Sequence, residues 1–322
     1  MRRKTWFVIL GVIALGASLL NFTGPKKEKT PIRVVILSDV ISTLPHWTAI
    51  EKGFYQKEGI EPKEYAFTSS SEPVSAMANG DADFLPGVSM LDVMNGISKL
   101  RLRPVLLSHC RVSTASPFEC LIVASGSSIS NLKDLEGKTI AVFPGQTSSA
   151  VLKYFLTQKG VDTTNIQFKS ISPSLHLQAL QSGEVACAHA YEPYCSTYLE
   201  SGKMRELYGS IYASINNPAA IGATLISYRL WAEDKPLANR LIRVWDRSIQ
   251  YIRDHPVEAR EILKRRLNLS DAVAQRATWV DATLSTELDR RAVEASITTY
   301  KNMGLLDPLF EFDPSYYYTP CQ

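Results

Sequence analysis

The chain has 322 residues, of which 45% are hydrophobic and 21% are charged, which is the balance of an ordinary globular protein. This length is enough for one large domain or two medium-sized domains with buried cores. The formal net charge is only +3, and much of it comes from cations near the N-terminus. The composition therefore excludes the concentrated basic surface that holds nucleic acid.

The first residues predict export from the cytoplasm. Cations at positions 2–4 precede the uncharged run "TWFVILGVIALGASLLNF", the order of charge and apolar core found in export signals. The run is long for a signal peptide and short for a membrane span. Residues 1–24 are thus either a cleaved signal peptide or an N-terminal anchor that spans residues 6–22, with residues 25–31 as a charged linker. Both alternatives predict a periplasmic or otherwise extracytoplasmic protein.

After the linker, short apolar runs alternate with helix-like stretches. Most of the runs are continuous, as in strands whose sheet is covered on both faces. This alternation predicts an α/β architecture with mainly parallel sheets. Strands are predicted at 32–38, 82–88, 103–109, 120–125, 139–144, 166–172, 185–191 and 223–228. Helices are predicted near 45–57, 72–79, 89–99, 147–159, 173–182 and 192–201.

The C-terminal part is predicted to be almost entirely helical. From Leu237 to Ile252, apolar residues recur near the helical period, with arginines on the other faces. The sequence "DHP" at 254–256 ends that helix and begins another, because proline suits the first helical turn.

The order of the elements predicts two lobes. Lobe 1 comprises residues 32–119 and 221–322, and lobe 2 comprises residues 120–220. A chain that crosses out and back leaves a double hinge with a cleft between the lobes. Ligands of open α/β sheets bind beyond the carboxyl ends of the strands, close to helix N-termini. The cleft is therefore the predicted binding site.

Five cysteines stand at 110, 120, 187, 195 and 321, and an odd number leaves at least one unpaired within the chain. Cys110 and Cys120 end and begin two apolar runs, so a bridge between them is one alternative. Cys187, His189 and Cys195 could be arranged around a metal, although their spacing matches no standard zinc pattern. Buried thiols are the favoured interpretation, and no metal is predicted.

Four stretches resemble one family in both order and spacing. They are "HWTAIEKGFYQKEGIEP" (46–62), "NLKDLEGKTIAVFPGQTSS" (131–149), "LQALQSGEVACAHAYEPY" (177–194) and "LANRLIRVWDRSIQYIRDHPVEAREIL" (237–263). The family is that of the solute-binding proteins of ABC importers for nitrate, sulfonates, taurine and related compounds. The same superfamily includes thiamine-pyrimidine precursor binders and the yeast-type pyrimidine synthase. The resemblance covers roughly residues 32–305.

This resemblance implies the type 2 periplasmic binding protein fold, with two Rossmann-like lobes, a double hinge and a mostly helical C-terminal segment. It implies a monomer without a cofactor that captures a small polar organic solute, either sulfonate- or taurine-like or thiamine-pyrimidine-like. The partner would be an ABC permease in the membrane. The alternatives are an enzyme of thiamine-precursor synthesis on the same fold and a membrane-tethered sensor module.

The chain departs from the family pattern in places. Ala186 and Cys187 stand where the family usually has aspartate, and Tyr191 stands where tryptophan is common. The cysteine-rich iron motif of the pyrimidine synthases is not present in the sequence. Its absence argues against an enzyme.

Strand-to-helix junctions supply the candidate ligand contacts. Helix N-termini expose unpaired N–H groups, which suit carboxylate, sulfonate or nitrate oxygens, although hydroxyl groups there could equally be plain helix caps. The resemblance places Tyr191 and Glu192 at the ligand, with Glu192 accepting from an amine or another donor. Alternatively, Glu192 is a first-turn acid beside the helix starter Pro193. The predicted ligand-binding residues are Asp39, Thr43, His46, Ser89, Gln146, Thr147, Ser148, Tyr191 and Glu192.

Overall fold

The computed structural model describes residues 29–38 and 40–320, apart from the side chain of Gln146. The predicted export segment, most of the linker, Asp39 and Cys321 lie outside the described residues. Among the helices that are described, none is both long enough and apolar enough to cross a membrane.

The described strands form two sheets. In chain order they are β1 (Thr30–Leu37), β2 (Ile60–Phe67), β3 (Phe84–Ser89), β4 (Pro104–Val112), β5 (Glu119–Ala124), β6 (Thr139–Val142), β7 (Gln167–Ser170), β8 (Cys187–Tyr191), β9 (Met204–Gly209), β10 (Ala219–Ser227) and β11 (Asp281–Ala282). The large sheet has the order β11-β4-β10-β3-β1-β2, and the small sheet has the order β7-β6-β8-β5-β9.

Helices cover both sheets, which confirms the α/β class. They are α1 (Leu44–Glu51), α2 (Phe54–Lys57), α3 (Glu72–Ala78), α4 (Met90–Leu100), α5 (Gln146–Gln158), α6 (Pro173–Ser182), α7 (Tyr194–Glu200), α8 (Ile211–Ile215), α9 (Tyr228–Glu233), α10 (Lys235–Asp254), α11 (Pro256–Leu267), α12 (Asp271–Arg276) and α13 (Arg290–Asn302). The segment after β10 is mostly helical, as the sequence predicts.

The expectation of mainly parallel sheets is wrong, because both sheets are mixed. β1 runs parallel to β2 and β3, and β6 runs parallel to β7 and β8. In contrast, β10 is antiparallel to β3 and β4, and β5 is antiparallel to β8 and β9. β5 and β10 are the strands at which the chain enters one sheet from the other. Neither follows a crossover helix within its own sheet, which is the connection that keeps neighbouring strands parallel.

The chain changes sheets between β4 and β5 and again between β9 and β10. The predicted lobe boundaries fall at residues 119/120 and 220/221, and they stay a prediction. We call residues 29–112 together with 219–320 the large-sheet region, and residues 119–209 the small-sheet region.

A disulfide joins Cys120 in β5 to Cys195 in α7, with a Cα–Cα distance of 6.1 Å. Cys110 does not pair with Cys120, because it lies in β4 of the other sheet, where it is buried as a free thiol. Cys187 is also free and buried, whereas Cys195 is part of the disulfide. The arrangement of Cys187, His189 and Cys195 around a metal therefore does not form. Within the described residues, no three His, Cys, Asp or Glu side chains are placed to hold a metal.

Candidate functional site

A cavity of about 700 Å³, including the space at its open mouth, lies between the two sheets. The large-sheet wall consists of Leu37, Val40, Ser42, Ser70, Gly87, Val88, Ser89, Cys110, Ile221, Gly222 and Val280. The small-sheet wall consists of residues of that region together with Phe118 and Tyr212 from the segments that connect the two sheets; the former are Phe143, Pro144, Thr147, Ser148 and Tyr191. Several of these residues follow directly from the carboxyl ends of β1, β3, β6 and β8, where α/β sheets bind ligands.

Two glycines allow close contacts around the cavity. Gly87 has a φ of 77°, and a Cβ atom there would lie 2.8 Å from the carbonyl oxygen of Ser42. Gly145 precedes α5 with a φ of 120°, and its Cβ would lie 3.0 Å from Ser70 Oγ across the cavity. A side chain at either position would be strained; at Gly87 it would also collide with the backbone, and at Gly145 it would press on the Ser70 hydroxyl group. Gly145 and Ser70 thus lie close together on opposite sides of the gap between the two regions.

Among the described lining residues, none carries a charged side chain. Aromatic rings and aliphatic side chains make most of the wall, and the polar groups are hydroxyls. Such a surface suits an organic molecule with a few polar atoms rather than a bare inorganic ion. The lining hydroxyls belong to Ser42, Ser70, Ser89, Thr147, Ser148, Tyr191 and Tyr212.

A network of side-chain hydrogen bonds crosses the small-sheet wall. His189 lies behind the wall, with its Nδ1 3.1 Å from Ser148 Oγ. Ser148 also bonds to the Tyr191 hydroxyl group, which lies 3.4 Å from that of Tyr212. Burial lowers the pKa of His189 to about 3 and raises the pKa of Tyr191 to about 12. Every side chain of this network is therefore neutral at physiological pH.

The large-sheet wall is backed by an acid. Asp92 lies in the first turn of α4, where its backbone N–H donates to Ser89 Oγ at 3.3 Å, so Ser89 is the N-cap. The hydroxyl groups of Ser70 and Ser89 interact with the Asp92 carboxyl group. Burial raises the pKa of Asp92, and the two hydroxyl groups oppose that rise.

The structure brings four of the predicted residues, Ser89, Thr147, Ser148 and Tyr191, to the cavity wall. Asp39 and the Gln146 side chain lie outside the described residues. Ligand contact by all of them stays a prediction.

Two predicted residues lie elsewhere. Thr43 is buried and donates its hydroxyl proton to the carbonyl oxygen of Leu37 at 3.3 Å. His46 is buried between Tyr55 and Glu64, with ring nitrogens 2.8 Å from the phenol oxygen and 2.9 Å from the carboxylate. Both side chains hold α1 and its neighbours together, so the geometry gives them a structural role.

Glu192 is also turned away from the cavity lining. Its carboxyl oxygens accept from the backbone N–H and the hydroxyl group of Ser196 at 3.1 and 2.9 Å. Burial raises the pKa of Glu192 to about 7. These contacts favour the alternative in which Glu192 caps the next helix, α7, and they do not support an ammonium-binding carboxylate in the cleft.

Sequence reasoning missed several lining residues. Ser42 stands in a single 3-10 turn, Ser70 stands in a loop, and Phe118 and Tyr212 stand where the chain passes between the sheets. The periodicity of apolar residues along the sequence gives no signal at such positions. Phe143 could have been identified, because it stands near the end of the strand predicted at 139–144.

The sequence of the chain matches a family model described as NMT1/THI5 like over residues 41–259. A Brucella abortus protein named as a candidate binding protein is 23% identical over 253 residues, covering 76% of this chain and 74% of the relative. A Bacillus subtilis protein named as a candidate aliphatic sulfonates-binding protein is 24% identical over 279 residues, covering 85% and 81%.

Solved structures show the same fold. The periplasmic aliphatic sulphonate-binding protein SsuA of Escherichia coli has a TM-score of 0.72 at 16% identity, covering 93% of this chain and 94% of that one. The alkanesulfonate-binding protein SsuA of Xanthomonas axonopodis pv. citri, bound to MOPS, has a TM-score of 0.73 at 18% identity, covering 90% and 99%. The chain therefore belongs to the NMT1/THI5-like family and has the two-sheet α/β fold of periplasmic binding proteins.

Proposed function

We propose that the chain is the extracytoplasmic solute-binding component of an ABC importer. The observation that carries this proposal is the uncharged cavity between the two sheets, at the carboxyl ends of their strands. The family match and the names of the binding-protein relatives support it. The protein would act as a monomer, without a cofactor, and would hand its solute to a membrane permease.

The solute would be a small polar organic molecule, either sulfonate- or taurine-like or thiamine-pyrimidine-like. Aromatic rings of Phe118, Phe143 and Tyr191 would pack against its body, and hydroxyl groups would bind its polar atoms. The N-terminus of α5, beside Thr147 and Ser148, adds unpaired backbone N–H groups. A bare anion would leave the apolar part of the wall without a partner.

Capture would couple solute binding to an approach of the two sheets. A ligand that touches both walls favours the arrangement in which they are close, and a permease can recognise that arrangement. The missing Cβ at Gly145, which would lie 3.0 Å from Ser70 Oγ, leaves room for such an approach.

An enzymatic function is disfavoured by the chemistry of Ser148 and His189. Their separation of 3.1 Å would allow a histidine to activate a serine. However, a pKa of about 3 makes His189 a poor general base at neutral pH. Within the described residues, His189 Nε2 has no hydrogen-bond partner, so no acid orients the ring as in a catalytic triad. The pair is better suited to binding than to proton abstraction.

Native mass spectrometry of the full chain purified from its own cells tests the proposal. We expect a small organic solute to be retained by the unaltered protein and retained less by Gly145→Ala, whose methyl group would lie 3.0 Å from Ser70 Oγ and would oppose a closer approach of the two walls. Gly160→Ala is the matched control, since Gly160 also has a positive φ but has open space around it. The proposal fails if nothing is retained and no compound from a sulfonate and pyrimidine panel raises the melting temperature.

A further inference from the structure

The residues behind the two walls fix which hydrogen-bonding role each wall can take. On the large-sheet side, Asp92 Oδ2 is buried and has no partner among the described residues. The hydrogen bonds with Ser70 and Ser89 oppose the rise of the Asp92 pKa, as bonds donated to a carboxyl group do, so the hydroxyl protons of both serines point toward Asp92. A hydroxyl group has a single proton. Once that proton is directed at Asp92, Ser70 and Ser89 can only accept from a ligand.

On the small-sheet side, the tautomer of His189 decides the outcome. A neutral imidazole carries one N–H, and Nε2 is buried without a partner among the described residues. A buried N–H without an acceptor is less tolerable than a buried lone pair. The proton therefore belongs on Nδ1, which donates to Ser148 Oγ.

This direction propagates along the wall. Ser148 accepts from His189 and donates to the Tyr191 hydroxyl group, which in turn faces that of Tyr212. These four groups carry four protons and share three hydrogen bonds, so one O–H is left over. Tyr191 or Tyr212 can donate that O–H into the cavity. With the proton on Nε2 instead, Ser148 would donate to Nδ1, and each hydrogen bond of the network would reverse its direction. All the hydroxyl protons would then be used within the network, and the cavity would be offered only lone pairs.

We propose that Asp92 and His189, neither of which lines the cavity, are positioning residues that give it opposite faces. The large-sheet wall accepts hydrogen bonds, and the small-sheet wall donates them. The ligand therefore carries a donor, such as an amino or amide N–H, at one end and an oxygen or ring-nitrogen acceptor at the other. This inference rests on the proposed function and deepens it, because it excludes solutes that are acceptors at both ends.

A pair of probes of equal shape tests the large-sheet face. Calorimetry of the full chain would compare 4-aminobenzenesulfonate with 4-methylbenzenesulfonate, which differ only in the donor. We expect the amino probe to bind about tenfold more tightly, the effect of one hydrogen bond. Asp92→Asn should bring the ratio close to one, because an amide can turn the serine protons back toward the cavity. Asp246→Asn is the control, since Asp246 in α10 is another partly buried acid bonded to a serine, and it does not line the cavity.

If Asp92→Asn does not fold, Ser70→Ala replaces it, because Ser70 lies in a loop and its loss should reduce the same ratio. The small-sheet face is tested by His189→Asp, whose carboxylate would accept from Ser148 and reverse the network, and which should weaken both probes about tenfold, because both carry the sulfonate acceptor. His189→Asn, which keeps an N–H near Nδ1, should recover part of that loss. His176→Asp is the control for the added charge, since His176 is buried in the same region and bonded to the carbonyl of Ile171.

The outcomes separate this inference from the proposed function. Equal binding of both probes by the unaltered protein, or equal losses in Asp92→Asn and Asp246→Asn, overturns the two-faced cavity and leaves a binding protein. Absence of both probe binding and any retained solute overturns the proposed function and the inference with it. If a solute is retained but neither probe binds, the structure of that solute decides, and a solute without a donor overturns the inference.

Discussion

The large-sheet and small-sheet regions are stabilised differently, although both are α/β. The large-sheet region has a six-stranded sheet and the long C-terminal helices, and its core includes Trp245, which is 2% exposed and packs edge-to-face on Phe84. The small-sheet region has five short strands, and its disulfide fixes α7 against β5. A smaller unit buries a smaller fraction of its surface and gains less from its core. Burial therefore stabilises the first region, and a covalent bond supplements it in the second.

Removing the Trp245 side chain should give the largest loss of stability. Trp245→Ala would leave a cavity between α10 and the large sheet, and we expect the free energy of unfolding to fall by about 3–5 kcal/mol. Denaturant unfolding measures it. Trp231→Ala is the control, because Trp231 is only partly buried, against Tyr318. Equal losses in the two variants would contradict the dominance of the core in this region.

Removing the disulfide should give the next largest effect, confined to the small-sheet region. The double variant Cys120→Ala with Cys195→Ala opens a loop of 75 residues, and we expect a loss of about 2–4 kcal/mol. Hydrogen exchange should show lower protection in β5 and α7 and little change in the large sheet. Cys187→Ala is the control, since Cys187 is a free buried thiol in the same region. A uniform loss of protection across both regions would refute the comparison.

The sequence predicted the inner strands of both sheets well, but of the four described edge strands it predicted only β7 and missed β2, β9 and β11. The strand β2 contains Pro62 and several charged residues, and half of its residues are exposed, so it lacks the continuous apolar signal of β1 or β4. The strand β9 lies at the other sheet's edge and was missed for the same reason. Edge strands keep one face or one side in water, and their composition follows that exposure.

The candidate site was predictable only where it follows a strand-to-helix junction. Ser89, Thr147, Ser148 and Tyr191 stand at such junctions and line the cavity. Asp92 and His189 were not found, because their role depends on which side chains three-dimensional packing places in front of them. The family resemblance placed Glu192 at the ligand, but the turn that carries it directs the carboxyl group at Ser196.

Glu192 provides a pH test of the small-sheet region. Burial raises its pKa from 4.5 to about 7, so the folded protein holds more protons than the unfolded chain between these values. Stability should therefore fall as pH rises from about 4.5 to about 7. We expect Glu192→Gln to remove part of this slope and to gain on the order of 1–3 kcal/mol at pH 8.

Thermal unfolding of both proteins across this pH range measures the slope. Ligand affinity should be the same in the variant and the unaltered protein, because Glu192 does not line the cavity. An unchanged pH slope would contradict the burial argument, and a large drop in affinity would return Glu192 to the binding site.

The smallest expected effect belongs to the charged surface of the large-sheet region. Glu51 in α1 contacts Arg265 and Arg266 in α11, with distances of 2.5 and 3.0 Å between charged atoms. Burial raises the pKa of Glu51, but the hydrogen bonds from the two arginines outweigh it, and the pKa is lowered. A lowered carboxyl pKa contributes stability that is present above the unfolded value and is lost as pH falls through the folded one.

We expect Glu51→Gln to cost only about 0.2–1 kcal/mol at neutral pH, because the arginines are partly exposed and water screens the pairs. The cost should shrink as salt is added, which denaturant unfolding at low and high ionic strength would detect. Lys63→Ala, which removes a pair with Glu61 on the exposed strand β2, is the control and should cost less. If Glu51→Gln cost as much as Trp245→Ala, ion pairs rather than burial would stabilise this region, and the contrast between the two regions would need another explanation.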